Sequence, residues 1–370
     1  MFWNWKTTPY RVLPKLRTTL YDASCHAWHY CHHPALGVFQ DRLCAMWSNG
    51  LVSEDEPGQQ VLFSISDDGV TWSPPQVLLK PSDGPGKEFI LTAAGFHAHN
   101  GTLVAYAGAY RYADPSECTP QQRQPCPVDT TLLAMTSTDG LHFSAPLDLH
   151  VPICPNYGPV PLASGRLLLT GNWEHAYTDD PSGLTGWQTA GFCQDLASLP
   201  QPVRDDPGYF WEVARHMGYP GGLCEGAFAE EQGVLHMLHR SYGAYLFESV
   251  SHDAGAAWSA PAETFLPNDN SKFWLGRLSS GDLAMISNPE HDSERCPLVL
   301  SLAREHGCFD RHIVIEGEPV LRKYDGHYKG GMYAYPHAVE YHGMLCIIYS
   351  VNKEDIQVAS IPLEKIVGLA

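Results

Sequence analysis

Short apolar runs separated by turns recur along the whole chain. Six of them directly follow a turn, beginning at residues 41, 101, 165, 233, 281 and 343 with the sequences DRLCAMW, GTLVAY, GRLLLTG, GVLHMLH, GDLAMIS and GMLCIIY. Each is preceded by another strand-like run, such as HHPALGVF before the first and YPHAVEY before the last. Two such runs joined by a tight turn are typical of a β-hairpin. The pattern therefore predicts six hairpins repeated along the chain.

Three of these hairpins continue into a third run that ends in a turn rich in Asp and Gly. The turns read SDDGVTWSPP from residue 66, STDGLHFSAP from residue 137 and SHDAGAAWSAP from residue 251. Asp bonds back to turn amides, Gly supplies a positive φ, and the aromatic residue buries beneath the hairpin. We therefore interpret Asp68, Asp139 and Asp253 as structural residues and not as catalytic ones.

The fold class follows from these repeats. Helical periodicity is scarce, whereas 33 Gly and 29 Pro punctuate the strands, which is typical of an all-β protein. We predict a six-bladed β-propeller of four-stranded antiparallel blades, forming one domain over residues 1–370. The last blade would otherwise leave an open edge. We expect an N-terminal strand within TPYRVLPKL, residues 8–16, to close the ring.

Composition excludes several classes of partner. The formal charge of −18 opposes binding to a phosphate backbone, and no apolar run approaches the ~20 residues that span a bilayer. The first residues, MFWNWKTTPYRVLPKL, lack the apolar segment of a secretory signal. Eleven cysteines, an odd number, include several in apolar runs, as expected of free thiols. We expect a cytoplasmic protein without nucleic-acid or membrane partners; the sequence leaves its oligomeric state open.

The segment CHAWHYCHHP, residues 25–34, holds two cysteines and four histidines and raises the question of a zinc site. Neighbouring side chains of an extended chain point to opposite faces, and no second Cys/His pair follows at the usual spacing. We therefore expect no metal and no cofactor, and interpret His32 and His33 as pocket residues.

A propeller brings the starts of its first strands and the ends of its second strands to one pocket. These positions are rich in aromatic, amide and cationic side chains, a combination that suits a sugar with a carboxylate. We expect substrate binding by eight of them: Asn49, Arg111, Tyr157, Trp173, Lys272, Tyr333, His337 and Lys353.

The hairpins and Asp-rich turns resemble the Asp-box (BNR) repeats of the sialidase superfamily, from about His32 to Leu363. The resemblance implies a nucleophilic tyrosine at Tyr335 and a carboxylate-binding arginine at Arg295. Arg240 lies upstream of the position expected for a second arginine, and His32 stands where a third would be. Histidine weakens such a clamp because it is mostly neutral near pH 7.

The resemblance also implies two acidic residues. Glu225 and Glu230 are the candidates for the partner of the tyrosine. Glu54, Asp55 and Glu56 are the candidates for an acid in the first blade.

Three functions fit these residues, all with an acidic oligosaccharide or polysaccharide as partner. The first is a lyase that performs β-elimination at a uronic acid, with Arg295 and Arg240 on the carboxylate and His32 or His33 acting with Tyr335 as the proton-transfer pair. This set resembles propeller lyases acting on ulvan or on rhamnose-capped glucuronate. The alternative is an exo-glycosidase of sialidase type, with Tyr335 as nucleophile. The third is a glycan-binding propeller without catalytic activity.

Overall fold

The computed structural model describes residues 2–3, 9–84, 86–114, 116, 127–172, 174–191, 223–304 and 307–368. Six sheets follow one another along the chain, and each holds a four-stranded antiparallel blade. Innermost strands of successive blades pack side by side around a common axis. The predicted six-bladed propeller is confirmed, and each of the six apolar runs that directly follow a turn forms the second strand of its blade.

The first three blades follow chain order from the axis outwards. Blade 1 contains β4 (Tyr30–Phe39), β5 (Arg42–Gly50), β6 (Gln60–Ser66) and β7 (Gln76–Leu79). Blade 2 contains β8 (Ile90–His99), β9 (Thr102–Tyr112), β10 (Pro127–Ser137) and β11 (Leu147–Asp148). Blade 3 contains β12 (Val160–Pro161), β13 (Leu167–Thr170), β14 (Glu174–Thr178) and β15 (Gln188–Gly191).

The last three blades continue in chain order, and blades 5 and 6 also contain strands from the N-terminal segment. Blade 4 contains β16 (Cys224–Glu231), β17 (Val234–Arg240), β18 (Tyr245–Ser251) and β19 (Ala262–Pro267). Blade 5 contains β20 (Trp274–Arg277), β21 (Leu283–Ser287), β22 (Leu298–Ala303) and β23 (Cys308–Glu316), with β1 (Phe2–Trp3) and β2 (Arg11–Val12) parallel to β23. Blade 6 contains β24 (Tyr333–Tyr341), β25 (Met344–Val351), β26 (Asp355–Pro362) and β3 (Leu16–Tyr21).

An N-terminal strand closes the ring, as predicted, but it lies later in the chain than expected. β3 is the outermost strand of blade 6 and pairs antiparallel with β26. The expected segment is divided instead, because its Arg11 and Val12 pair with blade 5. Pro14 lies between the two strands, and proline cannot donate to a sheet ladder.

The core lies between neighbouring blades. Leu298 of blade 5 and Ile347 of blade 6 belong to one buried cluster, and Met46 of blade 1 and Leu91 of blade 2 belong to another. Burial of each such side chain contributes about 1.5–3 kcal/mol. Outside the strands the described chain includes one α-helix, α1 (Leu363–Val367), and no helix of the described residues is long and apolar enough to cross a membrane.

The Asp-rich turns have the predicted structural role. Oδ1 of Asp68 accepts hydrogen bonds from the amides of Val70 at 2.8 Å and Thr71 at 2.6 Å. These bonds lower the pKa of Asp68 to about 2. Trp72 of the same turn packs against the core of blades 1 and 6, so each turn anchors the outer part of its blade.

Candidate functional site

Three blades aim one side chain each into a shared cavity through the same backbone irregularity. In blades 1, 4 and 6 the pairing between the innermost and second strands shifts register at corresponding places. The residues at these shifts have positive φ: 51° at His33, 48° at Glu225 and 57° at Tyr335. Residues other than Gly rarely adopt this conformation, and such strain clusters at functional sites.

The cavity has a volume of about 500 Å³ and receives side chains from all six blades. It contains five of the six residues predicted as catalytic: His33, Glu225, Arg240, Arg295 and Tyr335. The sixth, His32, is completely buried behind the cavity wall, with its ring centroid 3.8 Å from that of Tyr335. Residues separated by up to 303 positions therefore meet at one site, as the repeat pattern predicts.

Tyr335, Glu225 and Arg240 form a closed triangle of hydrogen bonds. The Tyr335 hydroxyl donates to Oε1 of Glu225 at 2.6 Å, and Nη1 of Arg240 lies 3.0 Å from that hydroxyl. The same Nη1 contacts Oε2 of Glu225. Burial opposes ionisation of Glu225, but Arg240 and Lys272 outweigh it and lower its pKa. Burial and the Glu225 charge raise the pKa of Tyr335 well above its ordinary value, so the carboxylate is charged and the phenol neutral.

The structure distinguishes between the two glutamates that the sequence left open. Glu225 begins β16 and reaches Tyr335, whereas Glu230 lies near the other end of the same strand. There the Glu230 carboxylate accepts a hydrogen bond from the Ala163 amide at 2.8 Å. Of the two glutamates, Glu225 is therefore the one that hydrogen-bonds to Tyr335.

Arg295 lines the cavity and has one guanidinium nitrogen without a hydrogen-bond partner among the described residues. Its Nη2 donates to the carbonyl of Asn270 at 3.1 Å, whereas its Nη1 is buried without a hydrogen-bond partner among the described residues. Its guanidinium lies 5.7 Å from the ring centroid of Tyr335. A buried guanidinium with a free donor suits a carboxylate of the ligand.

Among the first-blade acids, Asp55 is held in the cavity by two tyrosines. The hydroxyls of Tyr110 and Tyr112 donate to its two oxygens at 2.5 and 3.0 Å. Glu54 is instead occupied by Lys353, whose Nζ lies 2.5 Å from Oε2. Of the two acids of this loop that line the cavity, Asp55 is therefore the one without an ion pair among the described residues.

His32, His33 and Glu54 form the one group of described residues that meets the geometric requirements for a metal site, with ligand atoms within 4.8 Å of one another. Serine hydroxyls bond to Nδ1 of each histidine, at 2.9 Å for His32 and 3.1 Å for His33. A divalent cation there would lie next to the ammonium of Lys353, which already neutralises the carboxylate. We therefore interpret Glu54 as the ion-pair partner of Lys353 and not as a metal ligand.

Burial also sets the charge of these histidines. Burial, with Lys353 for His32 and with Lys272 for His33, lowers both pKa values well below the ordinary range. Both rings are neutral at physiological pH. They therefore add no permanent charge to the arginine clamp.

The remaining cluster of CHAWHYCHHP spreads over separate contacts. His26 stacks on Tyr21 and His29 stacks on Tyr324, with centroid distances of 4.2 and 3.8 Å. Cys25 is an exposed free thiol, whereas Cys31 is a buried one. These four residues therefore make separate contacts and do not converge on one site.

Most of the predicted substrate-binding residues lie outside the cavity wall. Of the described members of that set, Lys353 alone lines it. Asn49 donates to the Tyr30 carbonyl, Arg111 pairs with Asp129, and Tyr333 donates to the Glu318 carbonyl. His337 accepts from the Leu36 amide, while Tyr157 and Lys272 are buried behind Tyr335. Trp173 is outside the described residues.

Strand register explains why Arg111 does not line the cavity. Side chains alternate along β9, so the cavity receives Tyr110 and Tyr112 while Arg111 points to the other face. Sequence reasoning also overlooked Tyr328, which lines the cavity with 60% of its surface exposed. The irregular loop that carries Tyr328 has no periodicity that indicates its direction.

The fold and the cavity define a six-bladed propeller with a buried tyrosine, carboxylate and arginine site. The sequence model of the BNR repeat-like domain matches residues 41–347, and the chain therefore belongs to this family. A search of curated proteins finds no match.

Solved structures share the fold at low sequence identity. A protein described as a sialidase matches with 20% identity and a TM-score of 0.65 over 98% of this chain and 35% of its own. Trypanosoma rangeli sialidase matches with 13% identity and a TM-score of 0.62 over 92% of this chain and 56% of its own. The chain thus spans between about a third and somewhat over half of these two relatives. A protein of unknown function from Dyadobacter fermentans DSM 18053 matches with 13% identity and a TM-score of 0.64 over 94% and 98%.

Proposed function

We propose that this protein is an exo-glycosidase of sialidase type that acts on an acidic glycan, with Tyr335 as nucleophile and Glu225 as its base. The observation that carries the proposal is the 2.6 Å hydrogen bond from the Tyr335 hydroxyl to Glu225. A neutral phenol is a weak nucleophile and needs an adjacent base. Arg240 holds that base charged and touches the same hydroxyl.

Two displacements complete the reaction. In the first, the Tyr335 oxygen bonds to the anomeric carbon, its proton passes to Glu225, and the leaving oxygen departs with a proton from Asp55. In the second, Asp55 accepts a proton from water, which bonds to the same carbon. Tyr335 then leaves and recovers its proton from Glu225. The sum is hydrolysis with retention of configuration.

The cations of the cavity favour an acidic sugar. The guanidinium of Arg295 lies 5.7 Å from the ring centroid of Tyr335, so a carboxylate bound to it would hold the anomeric carbon near the nucleophile. With His32 and His33 neutral, the clamp is weaker than one of three arginines. We therefore propose a substrate whose carboxylate is held chiefly by Arg295.

β-Elimination at a uronic acid is the second candidate, and the position of His33 favours it. The His33 ring is neutral, lines the cavity, and has its centroid 5.2 Å from that of Tyr335. It could take the proton next to a carboxylate held by Arg295, while Tyr335 protonates the leaving oxygen and a carbon–carbon double bond forms. Elimination gives Glu225 no chemical step, which is why we rank hydrolysis first.

Product analysis with a covalent trap tests the proposal. Aryl glycosides of sialic acid and uronate-terminated oligosaccharides are each incubated with the wild-type protein and with Tyr335→Phe. We expect a saturated sugar from the wild type and at least a 1,000-fold lower rate from the variant. An analogue of the accepted sugar with fluorine on the carbon next to the anomeric carbon, and fluoride as the leaving group, should add one fluoro-sugar mass to the Tyr335 peptide.

Two outcomes would overturn hydrolysis. An unsaturated, ultraviolet-absorbing uronate would establish elimination instead. Sugar binding in calorimetry without any product, equal in the wild type and the variant, would establish a binding propeller.

A further inference from the structure

Asn156 connects the backbone beside Glu225 to a buried amine. Its Nδ2 lies 3.2 Å from the carbonyl oxygen of Gly226, the residue after Glu225. Its own backbone carbonyl accepts a hydrogen bond from Nζ of Lys272 at 2.8 Å. One residue of blade 3 thus positions both the base and this lysine.

Tyr157 makes the corresponding connection to the nucleophile. Its hydroxyl lies 2.5 Å from the carbonyl oxygen of Phe273 and 3.1 Å from that of Pro336. Phe273 follows Lys272 in the chain, and Pro336 follows Tyr335. The backbones that carry the lysine and the nucleophile are therefore held by the same hydroxyl.

The Lys272 ammonium lies between two tyrosine rings. Its Nζ is 4.5 Å from the ring centroid of Tyr157 and 4.6 Å from that of Tyr335. The side chain is 1% exposed and is not part of the cavity wall, so a bound sugar would not reach it. A lysine is rarely buried this deeply unless its charge is compensated.

We infer that Lys272 is a positioning residue for Tyr335 and Glu225: its ammonium fixes the phenol ring through cation–π contact and keeps the carboxylate charged from behind the cavity. The inference rests on the proposed function, because it assigns a role to Lys272 in the activation of Tyr335. Cation–π attraction strengthens as a ring becomes more electron-rich. The contact therefore stabilises the Tyr335 ring most as the phenol loses its proton.

The surroundings of Lys272 make its electrostatic effect on Tyr335 and Glu225 dependent on pH. Burial lowers the pKa of Lys272 to about 8, against the opposing effect of Glu225. The amine is therefore charged at neutral pH and loses its charge in mildly alkaline solution. The titratable and charged groups that face or influence it are Glu225, Arg240, Cys154, Tyr157, Tyr335, His32, His33 and His337.

NMR tests the electrostatic part without any substrate. The ¹³Cε signal of Lys272, assigned with Lys272→Met, should titrate with a midpoint near 8 in the wild type. In Glu225→Gln the midpoint should fall, because the compensating negative charge is gone. The ring signals of Tyr335, assigned with Tyr335→Phe, should shift over the same pH range. Either of two results would overturn the inference. One is a Lys272 midpoint that is unchanged in Glu225→Gln, and the other is that the Tyr335 ring signals do not shift over the pH range in which Lys272 titrates.

Steady-state kinetics test the role of Lys272 in catalysis, with the substrate that the product analysis identifies. Lys272→Met should lower kcat at least tenfold, leave KM within twofold, and remove the alkaline decline of kcat near pH 8. Lys272→Arg should retain more activity and move that decline to higher pH. A rise in KM with unchanged kcat would instead make Lys272 a substrate contact. Absence of turnover in the wild type would refute the proposed function while leaving the NMR result to decide on the lysine.

Discussion

The hydroxyl of Tyr335 donates a hydrogen bond to the carboxylate of Glu225, although 110 positions separate the two residues in the chain. Both residues lie at a register shift in the innermost strand of their blade, and both have positive φ. The pair therefore depends on two strained backbone positions, which the surrounding sheets hold in place.

Glu225→Gln should abolish activation of the nucleophile Tyr335 while leaving substrate binding nearly unchanged. An amide cannot accept the phenol proton, so we expect kcat to fall at least 100-fold while KM changes little. Steady-state kinetics provide the measurement. Glu230→Gln is the matched control, because it alters the same strand away from Tyr335 and should retain nearly full activity. Equal losses in the two variants would contradict the role of Glu225.

If Asp55 is the acid that protonates the leaving oxygen, the loss of rate in Asp55→Asn should depend on the leaving group. Tyr110 and Tyr112 direct the Asp55 carboxyl into the cavity, where it would protonate the leaving oxygen. We expect about a 100-fold loss with an alkyl leaving group and a much smaller loss of the first step with an acidic phenol, which departs without help. Pre-steady-state release of the phenol measures that step.

Glu56→Gln is the control for Asp55. Its side chain accepts from the Ser53 amide in the same loop, so it reports the effect of altering the loop alone. Equal losses for both leaving groups in Asp55→Asn would indicate that Asp55 is not the acid.

Arg295→Met should weaken binding of the acidic group more than that of the rest of the sugar. A charge-assisted hydrogen bond contributes about 1.5–3 kcal/mol, so we expect a 10- to 100-fold weaker Kd for the acid. The analogue with a carboxamide in place of the carboxylate should lose little. Calorimetry with both ligands measures this difference. Arg166→Met is the control, because that arginine pairs with Asp179 outside the cavity wall, and an equal loss there would refute the assignment.

The sequence contains strong signals for the blades and weak ones for the cavity. The Asp-rich turns and hairpins are local, and turn chemistry alone predicts them. Tyr335 and Glu225 sit at bulges, and Pro336 and Gly226 directly follow them in otherwise regular strands. A proline or glycine inside a strand often marks a bulge, so this signal was present in the sequence.

Other site residues could not be predicted because they depend on register and burial. Arg111 and its neighbours Tyr110 and Tyr112 differ by one position in β9, and one position reverses the face of the strand. The sequence predicts Lys272 as a pocket residue that contacts substrate, whereas the structure buries it behind Tyr335, a position that lysine seldom occupies. Its partners come from blades 3 and 6, and no local pattern indicates that they meet.

Buried histidines should make the protein lose stability as the pH falls below about 6.5. Burial lowers the pKa of His32, His33, His175, His239 and His337. The unfolded chain takes up these protons near pH 6.5, whereas the folded protein does not. Their contribution is therefore fully present above pH 6.5 and decreases as pH falls toward the folded-state values. Each histidine can lower the free energy of unfolding by up to about 1.4 kcal/mol per pH unit in that window.

Urea unfolding at pH 7 and pH 5 measures this loss. His337→Asn keeps an acceptor for the Leu36 amide but removes one titrating ring, so the difference in unfolding free energy between the two pH values should shrink by up to about 2 kcal/mol. His252→Asn is the control, because that side chain is exposed and its loss should leave the difference unchanged. If His337→Asn behaves like this control, the ring of His337 takes up its proton in the folded protein, and burial does not keep it neutral.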